Sequence, residues 1–157
     1  MSEQSQVEAR LAALGLTVPQ VTIPLAAYVP AVRTGNLIFT SGQLPMIEGV
    51  LAATGKVGGS VSPDEASELA KICALNAIAA VRSLIGDLDK VVRVVKVVGF
   101  VASTPDFSGQ PAVVNGASNL LKEAFGEAGV HARSAVGVAA LPLDAPVEVE
   151  MIVEVAG

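Results

Sequence analysis

The stretch Ser62–Ala102, SPDEASELAKICALNAIAAVRSLIGDLDKVVRVVKVVGFVA, sets a long helix against a long strand and so decides the fold. Ser62-Pro63-Asp64-Glu65 supplies a capping hydroxyl, a proline suited to the first helical turn and a glutamate three residues after the cap. The spacing predicts a helix over 63–85 with Gly86 as its stop. Its centre, ICALNAIAAV over 72–81, is small and apolar almost all round, the composition of a helix covered on more than one side. Cys73 reads there as a small core residue, because no basic neighbour in sequence would lower its thiol pKa. The strand VVRVVKVVGFVA follows over 91–102, apolar on both alternating sets and therefore expected to be covered on both faces.

Working outward, Val147, Val149, Met151, Val153 and Val155 alternate with Glu148, Glu150, Ile152 and Glu154, a strand with one apolar face. A second helix is predicted over 111–128, ending at Gly129, and an apolar strand over 134–141. Toward the N-terminus, Leu37–Ser41 reads as a strand after a Thr34-Gly35-Asn36 turn. Residues 47–59 read as a glycine-rich loop with room for a strand edge. Thr17–Tyr28, with Pro19 and Pro24, is an extended approach. Val7, Leu11 and Leu14 place a short helix over 4–14, and Gly15 stops it. The expected fold class is α+β, a two-layer sandwich of one mixed β-sheet with two main helices in a single domain over 1–157, of which 1–23 form an N-terminal extension. Such a sandwich leaves one sheet face open. Strands apolar on both faces then point to self-association over that face.

The 157 residues carry a formal charge of −5, with 52% hydrophobic, 16% charged and 3% aromatic residues. That length suits one domain, and the apolar content excludes disorder. The acidic balance and scarce aromatics argue against a nucleic-acid face, which needs clustered Lys and Arg or stacking platforms. A single cysteine and a single histidine exclude an internal disulfide and a Cys/His zinc site. The N-terminus lacks the pattern of a secretory signal, and no run reaches the length of a membrane span, so the expected location is the cytoplasm, away from membranes.

Taken by position alone, Arg133 at a strand entrance is most simply a surface charge. In a site it would be an always-charged fork for a carboxylate. Glu148, Glu150 and Glu154 are most simply an exposed stripe, although a partly buried Glu148 could hold or activate a water. His131 reads as a solvated loop histidine or, beside Arg133, as a proton carrier. Asn115 and Gln110 are polar groups of a pocket or an interface, with nothing in the sequence to choose between the two.

These residues stand in a familiar order. Tyr28, then TGNLIFTSGQLP over 34–45, resembles the N-terminal signature of the RidA/YjgF/YER057c/UK114 family. Ala132-Arg133-Ser134, Leu141-Pro142 and VEVE over 147–150 resemble its C-terminal signature, and VVRVVK over 91–96 with Phe100-Val101 resembles its central strand. The likeness spans about Pro24 to Val155. It implies the fold of the trimeric bacterial chorismate mutase, a homotrimer with sheets packed inward, and sites in the clefts between subunits. It also implies hydrolysis of enamine and imine intermediates, such as 2-aminoacrylate and its imine tautomer, to 2-keto acids and ammonia, with no metal or organic cofactor. By the same resemblance, Arg133 matches the arginine that binds the substrate carboxylate and Glu148 the glutamate associated with the hydrolytic water. Tyr28 matches the tyrosine near the cleft, and Ser41 and Gly42 the pair that lines the pocket. Departures stand close by. The family commonly has cysteine where this chain has Ala135, glutamate where it has Gly137, and proline where it has His131. The segment 104–111 is longer than usual. Two other readings are a trimeric binder of small carboxylates without turnover and an endoribonuclease, the latter disfavoured by charge and composition.

Overall fold

A computed structural model describes the protein over residues 4–21, 24 and 26–157. The capping serine does what its position predicts: the Ser62 hydroxyl accepts from the Glu65 backbone N–H at 3.1 Å and opens a helix Pro63–Ile85, closed by Gly86 at φ +74°. Numbered in chain order, the elements are α1 (Gln6–Ala13), β1 (Ala31–Thr34), β2 (Leu37–Thr40), β3 (Met46–Ile47), β4 (Val50–Leu51), α2 (Pro63–Ile85), β5 (Val91–Ala102), α3 (Gln110–Phe125), β6 (Ala132–Val138) and β7 (Val147–Val155). The main sheet has five strands in the order β1-β2-β7-β5-β6. Only β5 and β6 run parallel, joined by the α3 crossover, so the sheet is mixed.

Helices α2 and α3 lie together on one face of the sheet, and the core fills the space between. From β7 it takes Val147, Val149, Met151, Val153 and Val155; from α2 it takes a nearly continuous set of buried residues, including Cys73, Ala77, Ile78 and Val81. The small residues of the α2 centre permit this depth. At Gly116 on α3, an added Cβ would lie 2.7 Å from the Ser67 carbonyl carbon of α2, so the two helices approach backbone to backbone. Gly99 on β5 leaves room in the same way for Val114, whose Cγ1 would stand 2.7 Å from a Cβ there.

Several boundaries differ from the sequence reading. α3 stops at Phe125 rather than Ala128, because Gly126 takes φ +65° and the chain continues as a 3-10 turn over Gly126–Gly129. The strand expected over 134–141 instead begins at Ala132 and ends at Val138, which puts Arg133 inside it. β1 carries no alternation of its own and is recruited by β2 through the tight turn at Gly35, where φ is +55°. Within the 47–59 loop, Glu48 and Gly49 both take positive φ and turn the two-residue strands β3 and β4 into a hairpin.

The N-terminal helix is tied down by polar contacts. Ser5 caps α1, Asp89 Oδ2 and Oδ1 accept from the backbone N–H groups of Gln6 (2.9 Å) and Val7 (3.1 Å), and Arg82 pairs with Glu8 at 2.6 Å. The other sheet face carries Val32, Leu37, Phe39, Val98, Phe100, Val136 and Ile152 together with Lys96, Glu148, Glu150 and Glu154. Several of these apolar side chains stand in solvent, Val32 at 54% exposure and Phe39 at 41%. The face expected to be covered on both sides is therefore uncovered within one chain. Among the described residues no helix is long and apolar enough to cross a membrane.

Candidate functional site

Beyond Thr40 the β2 strand slips register, and Gln43 pairs with Val149. The slip brings the 41–46 segment over the end of β7. Asn76 of α2 pins this segment from below, donating from Nδ2 to the carbonyls of Leu44 and Met46 at 3.0 Å each. Ser41 donates its hydroxyl to the Val29 carbonyl at 2.6 Å, and its own carbonyl accepts from Gln43 Nε2 at 3.2 Å. A pocket of about 150 Å³ results, lined by Tyr28, Ser41, Gly42 and Asn76 among others.

Glu148 packs against Gly42, one of the residues that line this pocket, without itself lining it. Its carboxyl occupies the space a side chain at position 42 would need: a Cβ on Gly42 would overlap Glu148 Oε1 and come within 2.8 Å of Cδ. Glycine at 42 is thus a requirement of close approach. Among the described residues the Glu148 carboxyl has no hydrogen-bond partner. Burial raises its pKa above the ordinary carboxylate range, and the Glu150 charge, two residues on along the same face, raises it further. Below it, Cys73 Sγ contacts the Val147 carbonyl at 3.8 Å, and burial raises that thiol's pKa well above its usual value, as suits a core residue. Tyr28, Ser41, Gly42 and Glu148 therefore come together as one group.

Arg133 does not join them within a single chain. It pairs with Val97, a core-facing residue, whereas Glu148 pairs with Phe100 on the open face. The two charged residues sit on opposite faces of the sheet with β5 between them. The guanidinium is held at the start of α3: Nη1 donates to Asn115 Oδ1 at 2.8 Å and to Ser118 Oγ at 3.2 Å, and Nη2 donates to the Pro111 carbonyl at 3.2 Å. These three contacts use both Nη1 hydrogens and one on Nη2. Of the five guanidinium N–H groups, the Nε–H and one Nη2–H meet no acceptor among the described residues, which leaves two donors for a carboxylate. Asn115, open between pocket and interface in the sequence, is thereby assigned to Arg133. Ser118 is the residue the sequence reading missed. Asn115 and Ser118 stand three apart on one face of α3, a polar pair that periodicity could have flagged, whereas Pro111 contributes a backbone carbonyl that no side-chain pattern shows.

The sequence model of a family described as YjgF/chorismate mutase-like, with an endoribonuclease label, matches residues 8–155. The chain belongs to this family. Among its relatives, Protein TCP17 of Trypanosoma cruzi is 44% identical over 150 residues, covering 95% of this chain and 94% of that one. The 2-iminobutanoate/2-iminopropanoate deaminase of Escherichia coli (strain K12) is 35% identical over 131 residues, covering 82% and 87%. Among solved structures, the protein Atu1372 of Agrobacterium tumefaciens, described as of unknown function, superposes with a TM-score of 0.91 at 49% identity over 96% of this chain and 93% of that one.

Within this YjgF-family chain the segment 104–111 has a definite effect. Gln110 folds back over Gly137: a Cβ there would stand 2.8 Å from Gln110 Nε2 and 3.0 Å from Ser103 Oγ. Gln110 Nε2 donates to the Phe107 carbonyl at 2.8 Å and to Ser103 Oγ at 3.3 Å. An amide thus takes up space that a side chain at 137 would need.

Proposed function

We propose that this protein hydrolyses 2-imino acids and their enamine tautomers to 2-keto acids and ammonia, in clefts formed where copies of the chain meet as a homotrimer. The observation that carries this reading is Glu148: a half-buried carboxyl with a raised pKa and no hydrogen-bond partner among the described residues, packed against Gly42 of the Tyr28–Ser41–Gly42 pocket. Such a group can take a proton from water and return it to nitrogen. The open edge of Arg133 supports the same reading, since an imino acid brings one carboxylate. That Arg133 and Glu148 face opposite sides of one sheet supports sites shared between copies.

The chemistry balances without further components. Water adds to the electrophilic imine carbon, and Glu148 accepts its proton and passes it to nitrogen; the carbinolamine then gives its hydroxyl proton to nitrogen through the same carboxylate as the C–N bond breaks, leaving ammonia and the keto acid. The substrate carboxylate stays on Arg133, so the geometry rather than a covalent nucleophile supplies the acceleration. A deaminase name among the relatives supports this class, and Tyr28, Ser41 and Gly42 would bound the substrate.

One observation favours a second reading, binding of small carboxylates without turnover: with Ala135 and Gly137 beside Arg133, and Gln110 filling the space over 137, Glu148 is the one acid assigned to the site. Ammonia release from imines generated in situ by an amino-acid oxidase decides between the two. Acceleration by the wild type that is lost in Arg133→Ala supports the deaminase. No acceleration on any imine side chain, with pyruvate still bound, supports the binder.

A further inference from the structure

Arg133 is held by a chain of hydrogen bonds that continues past its direct partners. Ser118 Oγ, which accepts from Arg133 Nη1, lies 2.9 Å from His131 Nε2, and His131 Nδ1 lies 2.6 Å from the Gly129 carbonyl. The directions of these bonds follow from elimination. A carbonyl oxygen only accepts, so Nδ1 carries the ring hydrogen. In the neutral ring Nε2 is then an acceptor, and the Ser118 hydroxyl hydrogen points to it. With its hydrogen committed, Ser118 turns lone pairs toward the guanidinium.

A serine inside a helix otherwise tends to bond back to a carbonyl of the preceding turn. His131 withdraws Ser118 from that alternative. The ring in turn is fixed by Gly129, which the backbone holds close: a Cβ at 129 would lie 2.7 Å from the Leu121 carbonyl carbon. His131, Ser118 and Arg133 are all partly buried, so the chain is shielded from solvent competition over most of its length.

We propose that His131, acting through Ser118, is a positioning residue that keeps the Nε/Nη2 edge of Arg133 turned outward as a preset fork for one carboxylate. Its bearing on catalysis rests on the reading of Arg133 as substrate anchor, but its structural content does not. A fork held in place before binding loses less freedom when the ligand arrives, which raises affinity without adding a contact. The part of His131 is the tautomer it holds and the hydroxyl it orients; it touches no substrate.

Nuclear magnetic resonance on ligand-free protein labelled with nitrogen-15 in arginine and histidine tests this directly. The wild type should show the Nδ1–H tautomer of His131 and slow rotation of the Arg133 guanidinium. His131→Ala and Ser118→Ala should each speed that rotation several-fold, and His131→Gln, which keeps an acceptor for Ser118, should restore it. Titration with pyruvate should give a Kd about fivefold weaker in His131→Ala and near wild type in His131→Gln, the loss expected for one hydrogen bond. An Nε2–H tautomer, or guanidinium rotation in folded His131→Gln and Ser118→Ala that are respectively unrestored and unchanged, overturns the proposal. If pyruvate binds wild type and Arg133→Ala equally, the anchor reading fails, while the rotation rates still decide the role of His131.

Discussion

As the proposed carboxylate anchor, Arg133 depends on what its neighbours leave unoccupied. Asn115, Ser118 and Pro111 take three donors and leave two without an acceptor among the described residues, so the side chain is oriented yet unsaturated. Arg133→Ala should weaken pyruvate binding roughly tenfold or more, the range for hydrogen bonds to a charged group, and Arg133→Lys should recover only part of it because an ammonium has no fork. Isothermal titration on the folded variants reads both. Glu148 makes a different prediction, one about pH. Its folded-state pKa is raised, so the neutral form favours folding; that stability is fully present below the ordinary carboxylate range and is lost as pH rises through the raised value. Glu148→Gln removes this loss. Thermal scans should show the variant gaining melting temperature relative to wild type between acid and neutral pH, and a gap that does not widen with pH contradicts the assignment.

At the scale of elements, the contact between α2 and α3 depends on glycine at 116. Replacing it with alanine forces a methyl group against the Ser67 backbone, which cannot turn away as a side chain could. Gly116→Ala should therefore lower stability by about 1–3 kcal/mol despite alanine's better helix propensity, seen as a reduced urea midpoint. A gain in stability would mean the helices can separate at little cost. α1 is held by Asp89, whose carboxylate accepts two backbone N–H groups of its first turn. Asp89→Ala should cost about 1 kcal/mol and speed amide exchange over 6–13 while leaving α2 protected.

The whole molecule presents an apolar sheet face that one chain does not cover. Val32, Phe39 and Val136 stand among carboxylates there, with no helix layer above them among the described residues. A homotrimer would have three times the 15.8 kDa of the chain. Light scattering should find that mass for the wild type and a smaller one for Val136→Glu, since a further carboxylate buried on a face that already carries Glu148, Glu150 and Glu154 would be unpaired and repelled. A wild-type mass of one chain would remove the shared cleft and with it the route by which Arg133 and Glu148 could serve one substrate.

What the sequence determined by itself was local and periodic. Ser62-Pro63 and Gly86 bound α2, the small apolar centre of that helix showed its burial, and the Val/Glu alternation of 147–155 showed both faces of β7, because caps and side-chain periods act over a few residues. The family signatures brought Tyr28, Ser41, Gly42, Arg133 and Glu148 forward as a set. Only the tertiary structure decided how they are grouped. The β2 register slip that lays Gly42 over Glu148, the crossover that hands Arg133 to Asn115 and Ser118, and the fold-back of Gln110 onto Gly137 join positions distant in the chain. Such contacts depend on strand register and helix packing, which no local pattern encodes. The same holds for His131: its ring is anchored two residues away at Gly129, but its partner Ser118 comes from another element, and that contact turns a loop histidine into a support for Arg133.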